Sequence, residues 1–279
     1  VDLVSLGIDS TKSYWTLDRV ARAVPTPLPV VEITPEDPRV HGDTIIVPAV
    51  PPADGVDVTG DASPVKNPKR FPWHCVGKLF YNLNGKDYTC SASVVGLYGI
   101  LTAAHCLYDP KTYASSRNVA FMPAYAADEP DPYGTWFANA MYIAPEWQDA
   151  GDVGYDIGAV VLSPIDAVQI GNKLGYLGFM MGSLTVKGWN CIGYPGNYGA
   201  GKLMYEEEGD FTQIGRNNTI IGKKGTFAQG ASGSPWLADG MNNIVNGVFS
   251  SISPQFPGQM FSSYFGGWVD KLRKKISSG

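Results

Sequence analysis

Histidine is scarce in this chain: 279 residues carry three, His41, His74 and His105. Any chemistry that needs an imidazole base has only these candidates. Cysteine is nearly as rare, with four residues, Cys75, Cys90, Cys106 and Cys191, and no C-x-x-C spacing. That pattern excludes a clustered Cys/His zinc site, and no metal or other cofactor is expected. A run of about 18 apolar residues, the minimum for a membrane-spanning helix, does not occur, so no membrane partner is expected. Nor is there a basic excess: 21 Lys and Arg against 26 Asp and Glu leave a net charge of −5. So mild an acidity excludes a general electrostatic grip on nucleic acid. Long helical periods are almost absent too. What is abundant is glycine (33), proline (21), and β-branched and aromatic residues, the composition of a mostly β protein.

The length suits one large or two small domains. The chain opens at Val1 without an initiator Met or a signal-peptide pattern, and so reads as a processed or trimmed product. An even number of cysteines suits two disulfides in a secreted, extracellular protein, with buried free thiols in a cytosolic protein as the alternative. Asn217-Asn218-Thr219 forms a glycosylation sequon, which fits secretion.

Composition changes once along the chain. Residues 1–72 hold 11 of the 21 prolines and no cysteine. Proline fixes φ and removes a donor, so long helices and central strands are excluded there. Residues 1–70 are therefore expected to form an arm or retained prosegment, anchored over the main domain by Val30, Val31, Ile33, Ile45, Ile46 and Val47. A stabilising extension is favoured over an inhibitor or a docking element. Lys69-Arg70 at its end reads equally as a dibasic processing site and as a solvated pair of charges. From Phe71 the pattern is strands and turns. Residues 75–81 and 88–95 flank Asn84-Gly85, a hairpin signal. Residues 157–162 and 184–192 read as strands, and residues 235–237 and 244–249 as a second hairpin. Phe265, Trp268, Val269, Leu272 and Ile276 recur at helical spacing, with a basic cluster near the C-terminal end that suits the helix dipole.

Three segments carry chemistry. Thr102-Ala103-Ala104-His105-Cys106 follows the apolar run Gly99-Ile100-Leu101 and places an imidazole at a strand end; His41 and His74 read as structural or exposed. In Gly230-Ala231-Ser232-Gly233-Ser234-Pro235, glycines around a serine permit a tight turn that presents the hydroxyl and converges backbone N–H groups. No histidine follows Ser232, which excludes the Ser…Asp…His order of α/β-hydrolases. In Tyr155-Asp156-Ile157-Gly158-Ala159-Val160-Val161-Leu162 a carboxylate opens an apolar strand, where it needs a donor to offset desolvation. Asp149 and Asp152 lie nearby in a Gly-rich loop, where solvation accounts for them.

The order His105, Asp156, Ser232, spaced by 51 and 76 residues, resembles the chymotrypsin-like serine peptidases over residues 71–279. TAAHC, YDIGAVVL and GASGSP are similar to that family's histidine, aspartate and serine motifs. Cys-Ile-Gly-Tyr-Pro-Gly (191–196) and the short Gly-Ser-Pro turn resemble the secreted glutamyl endopeptidase branch of bacteria and fungi. The resemblance implies an all-β fold of two six-stranded antiparallel β-barrels: 71–170 with His105 and Asp156, and 171–279 with Ser232 and a C-terminal helix. It implies a serine endopeptidase acting on protein or peptide substrates as a monomer, with backbone N–H groups of Gly230 and Ser232 as the oxyanion hole. It also implies a Cys90–Cys106 disulfide, leaving Cys75 with Cys191. A non-catalytic binding protein on the same fold is the alternative from another class.

Two departures stand out. The aspartate that precedes the nucleophile in trypsin-type members is Ala231 here, so activation by a buried new ammonium is not expected. Thr226 stands where trypsin-like enzymes carry the aspartate that binds basic side chains. The threonine and histidine linked to glutamate specificity in the resembled branch fall at Phe227 and Phe249. The pocket expected from Thr226, Phe227, Phe249 and Ser250 is therefore apolar, with broad or hydrophobic preference before the scissile bond. Residues 250–252 offer backbone pairing to substrate, and glutamate specificity is the alternative.

Overall fold

The computed structural model describes residues 1–4, 8–36, 44–50, 62–182, 186–215, 220–241 and 243–278. His41 and Asn217 lie outside the described residues. The fold is all-β in its two main bodies. In the first, strands Val76–Leu83, Lys86–Gly96, Gly99–Thr102, Gly158–Leu162, Trp136–Ile143 and Arg117–Pro123 pair in that order, and the last pairs back to the first. Every pairing is antiparallel, so the six strands close into a barrel. The expected hairpin forms with the tightest connection available. Asn84 (φ 53°) and Gly85 (φ 80°) make a two-residue turn of two left-handed residues, the combination that matches strand twist.

The second body is a sheet ordered Gln259–Ser263, Ile220–Lys224, Tyr205–Gly215, Gly188–Gly193, Pro235–Ala238, Ile244–Val248, Gly178–Met181 and Ile45–Val47. Five of the seven pairings in its path lie among the first six strands and are antiparallel, whereas Gly178–Met181 runs parallel to Ile244–Val248. Beyond Val248 the chain reaches across to the opposite edge: Ser250 N and Ser251 N donate to Phe261 O, and Phe261 N donates to Ser251 O. A separate apolar cluster fills this body, with Trp236, Trp189, Phe227, Phe249 and Met260 among its buried members.

The C-terminal helix Gly267–Ser278 forms as its periodicity predicts and buries Val269, Leu272 and Ile276. It packs back on the first barrel, where Tyr98 N donates to Ile276 O at 2.8 Å. A Cβ on Gly96 would stand 2.4 Å from that same carbonyl oxygen, so the helix can approach only a glycine there. Among the described residues no helix is long and apolar enough to cross a membrane.

Cys90 and Cys106 form a disulfide. The second expected bridge is absent: Cys75 and Cys191 are both free and buried. They belong to different cores, Cys75 to the cluster of the first barrel and Cys191 to that of the second sheet. A disulfide demands close, correctly aimed Cβ atoms, a condition that an even cysteine count does not supply.

Candidate active site

Antiparallel pairing brings the first two groups together. Thr102 ends one strand opposite Gly158, which begins the next. His105 lies three residues beyond the first and Asp156 two residues before the second, so both fall at the same barrel end. A single 3-10 turn, Ala104–Cys106, carries the imidazole, and the Cys90–Cys106 disulfide fixes its far end. Asp156 is fully buried and accepts three hydrogen bonds. His105 N donates to Oδ1 at 2.8 Å, His105 Nδ1 lies 2.7 Å from Oδ2, and Ser250 Oγ donates to Oδ2 at 2.6 Å. A carboxylate removed from water is tolerable only with such partners.

The second body supplies the hydroxyl. Ser232 Oγ lies 2.8 Å from His105 Nε2. The serine sits in a turn closed by Ser234 N to Ala231 O at 2.9 Å, flanked by Gly230 (φ 85°) and Gly233 (φ 82°). Both φ values belong to the left-handed region that glycine adopts without strain. Gly233 is also required for space, since a Cβ there would lie 2.2 Å from Thr102 Oγ1 and 2.3 Å from Ser91 O. Ser91 clamps the turn to the first barrel: its N–H donates to Ser232 O at 2.8 Å and its Oγ to Gly230 O at 3.1 Å. The structure thus brings His105, Asp156 and Ser232 into one hydrogen-bonded chain across the two bodies. Such an arrangement can move a proton from hydroxyl to imidazole while a carboxylate holds the ring.

Beside this chain, Phe227 and Phe249 are buried in one cluster with Ala231 and Met260. Thr226 is turned to a different partner. Its N–H and hydroxyl, with the N–H of Phe227, all donate to the Glu207 carboxylate at 2.7–3.3 Å. Glu207 therefore supports the stretch 226–227 from behind, a role invisible in sequence because the strand Tyr205–Gly215 lies about 20 positions away. Ser250, expected to touch substrate, also donates to Asp156, and a serine two residues past a strand carries no sequence signal for that role.

The other histidine within the described residues takes no part. His74 spans two backbone carbonyls, with Nδ1 3.0 Å from Lys69 O and Nε2 2.8 Å from Leu174 O. Among the described residues, the group with metal-ligand proximity is Cys90, His105 and Cys106, but its two sulfurs are bonded to each other. That set offers no thiolate and does not fit a metal ion.

The trypsin family model matches residues 65–259 of the chain. A glutamyl endopeptidase of Bacillus licheniformis is 27% identical over 204 residues, which is 67% of this chain and 60% of that protein. The match thus spans less than two thirds of the relative's length. Among solved structures, a thermostable serine protease from an extremophilic microorganism superposes with TM-score 0.67 at 25% identity, covering 73% of this chain and 97% of its own. A protease of Arthrobacter nicotinovorans gives TM-score 0.66 at 25% identity, covering 74% and 96%.

Proposed function

This chain belongs to the trypsin family, and on that premise we propose that it is a secreted serine endopeptidase whose working groups are His105, Asp156 and Ser232. The observation that carries this reading is the continuous hydrogen-bonded path from Ser232 Oγ through His105 to Asp156. In this reading Ser232 Oγ attacks a peptide carbonyl while His105 Nε2 takes its proton. Asp156 holds the ring in the tautomer with Nδ1 protonated and stabilises the imidazolium that forms. The N–H groups of Gly230 and Ser232 receive the developing oxyanion; losing one such donor costs about 100- to 1,000-fold in rate. His105 then protonates the leaving amine, and water repeats the sequence on the acyl-enzyme. Ala231 leaves no carboxylate beside Ser232 to pair with a freshly cut ammonium, so activity does not depend on that switch.

Residues 226–227 and 249–250 wall the pocket for the residue before the scissile bond. Phe227 and Phe249 offer an incoming carboxylate no donor, and the Thr226 N–H and hydroxyl are spent on Glu207. Apolar side chains fit better, and the substrates are proteins or peptides. The similarity to a glutamyl endopeptidase favours glutamate as the second reading. The Cys90–Cys106 disulfide supports an oxidising, extracellular setting.

Exhaustive reaction with a small serine-directed phosphonate tests the assignment. One adduct on Ser232 is expected by mass, and none in Ser232→Ala. No adduct, or equal labelling of the variant, overturns it. A peptide library separates the specificities: cleavage after Leu, Phe or Met supports the apolar pocket, and cleavage after Glu alone restores the second reading.

A further inference from the structure

Ser232 has zero exposed surface, although a nucleophile must meet its substrate. The proline-rich arm reaches the turn that carries it, where Gly230 N donates to Thr26 O. Val24–Pro25 adds to the first barrel as a parallel neighbour of Tyr88–Thr89. Thr26 is then pinned by its N–H and hydroxyl to Thr89 O at 3.0 and 2.9 Å, with its hydroxyl also 2.6 Å from Tyr81 OH. The Thr26 carbonyl receives the Gly230 N–H at 3.3 Å, the donor assigned above to the oxyanion. Leu28 packs against the apolar cluster that contains Phe227 and Phe249, and Ile252 packs against the same cluster. Beyond it, Ile252 N donates to Pro29 O at 3.2 Å and Val31 N donates to Ile252 O at 3.0 Å, a parallel bridge on the stretch expected to pair with substrate. One segment therefore engages the oxyanion donor, the apolar pocket wall and the substrate-pairing backbone at once.

The direction of that segment is informative. For cleavage, the side chain in the pocket must belong to the residue that supplies the carbonyl held at Gly230 and Ser232. In the arm, the carbonyl at Gly230 comes from Thr26, whose side chain faces the first barrel. Leu28, which packs against the cluster of Phe227 and Phe249, and the residues that bridge to Ile252 come two to five positions later. The arm thus crosses the site in the order opposite to a substrate, and the bond after the pocket residue is never presented to Ser232 Oγ. Pro25, Pro27 and Pro29 hold the run extended at low entropic cost.

Resting on the peptidase reading above, we propose that residues 25–31 are a built-in inhibitor that fills the substrate cleft in reversed chain direction. The arm blocks the site without being consumed by it, and activity follows its release. Exposed basic residues lie on both sides, Arg22 before the segment and Lys66, Lys69 and Arg70 after it, so a trypsin-like partner peptidase can excise it. This places the arm in the inhibitory class, rather than the purely stabilising class favoured by its composition.

The test uses the full chain and the rate of phosphonate labelling at Ser232. Leu28→Asp, which puts a charge against the apolar wall, is expected to accelerate labelling about 10- to 100-fold, while Leu28→Met stays near wild type. As a second measurement that needs no variant, wild-type protein is nicked with immobilised trypsin after Arg22 and Arg39 until mass shows loss of residues 23–39, which leaves the strand Ile45–Val47 in place. Its labelling rate is then expected to exceed that of the intact chain by at least about 10-fold. Unchanged labelling after that loss, or in a Leu28→Asp protein with native circular dichroism, overturns the inference, as does self-cleavage between Thr26 and Val30. Absence of adduct in every form overturns the peptidase reading itself, a distinct result.

Discussion

Lys78 offers a prediction in which the magnitude follows from the structure. It lies on the barrel strand Val76–Leu83, is only 7% exposed, and reaches across to the second body, where Nζ donates to Gly201 O at 2.7 Å. The ring of Tyr125 lies 4.7 Å from the same nitrogen. Burial disfavours the ammonium and pushes its pKa from 10.5 down to about 8. Between those values the unfolded chain binds more protons than the folded one, so stability rises with pH through the window from about 8 to 10.5. At about 1.36 kcal/mol for each pH unit, Lys78 contributes a swing of about 3 kcal/mol. Lys78→Met keeps most of the volume and removes the titration. Urea unfolding of both proteins at intervals from pH 6 to 10.5, in a Ser232→Ala background that prevents autolysis, measures the difference. Wild type is expected to gain about 3 kcal/mol on the variant across the window and nothing between pH 6 and 7. The loss of the bond to Gly201 O shifts the variant by an amount that does not vary with pH. A difference that stays flat across the window would refute the reasoning.

Asp156→Asn is expected to lower peptide turnover about 10,000-fold in trypsin-nicked enzyme, because an amide no longer favours the Nδ1-protonated tautomer; retention of more than a tenth of wild-type turnover would contradict the role of Asp156. Thiol titration is expected to find two reactive thiols after denaturation without reductant and none in the native protein, since Cys75 and Cys191 are free and buried; no thiols after denaturation would mean that the two are bridged. Burial raises the Cys191 pKa from 9.0 to about 12, so this thiol makes stability fall as pH rises above about 9, opposite in sign to Lys78. Cys191→Ala is expected to flatten that alkaline loss in urea unfolding, and an unchanged slope would remove Cys191 as its source.

The features legible in sequence were those set by local chemistry or short spacing. Asn84-Gly85 reads as a turn because two left-handed residues are cheap only there, and the terminal helix reads from its apolar period. The three segments around His105, Asp156 and Ser232 read individually because each has a local reason: a strand end, a carboxylate that needs a donor, and glycines around a hydroxyl. What those residues do together depended on closure of the barrel and contact between the two bodies, which no single segment encodes. Tertiary structure alone brought Ser250 to Asp156 and Glu207 to Thr226, partners 94 and 19 residues apart. It also kept Cys75 from Cys191, because cysteine parity carries no distances while a disulfide depends on them. The arm shows the division most plainly. Proline content predicts an extended segment but not its route, since an extended chain leaves its backbone groups free to pair wherever partners lie. Only the folded surface decided that this segment meets Gly230 through Thr26 and Ile252 through Pro29 and Val31, and in which direction it runs between them.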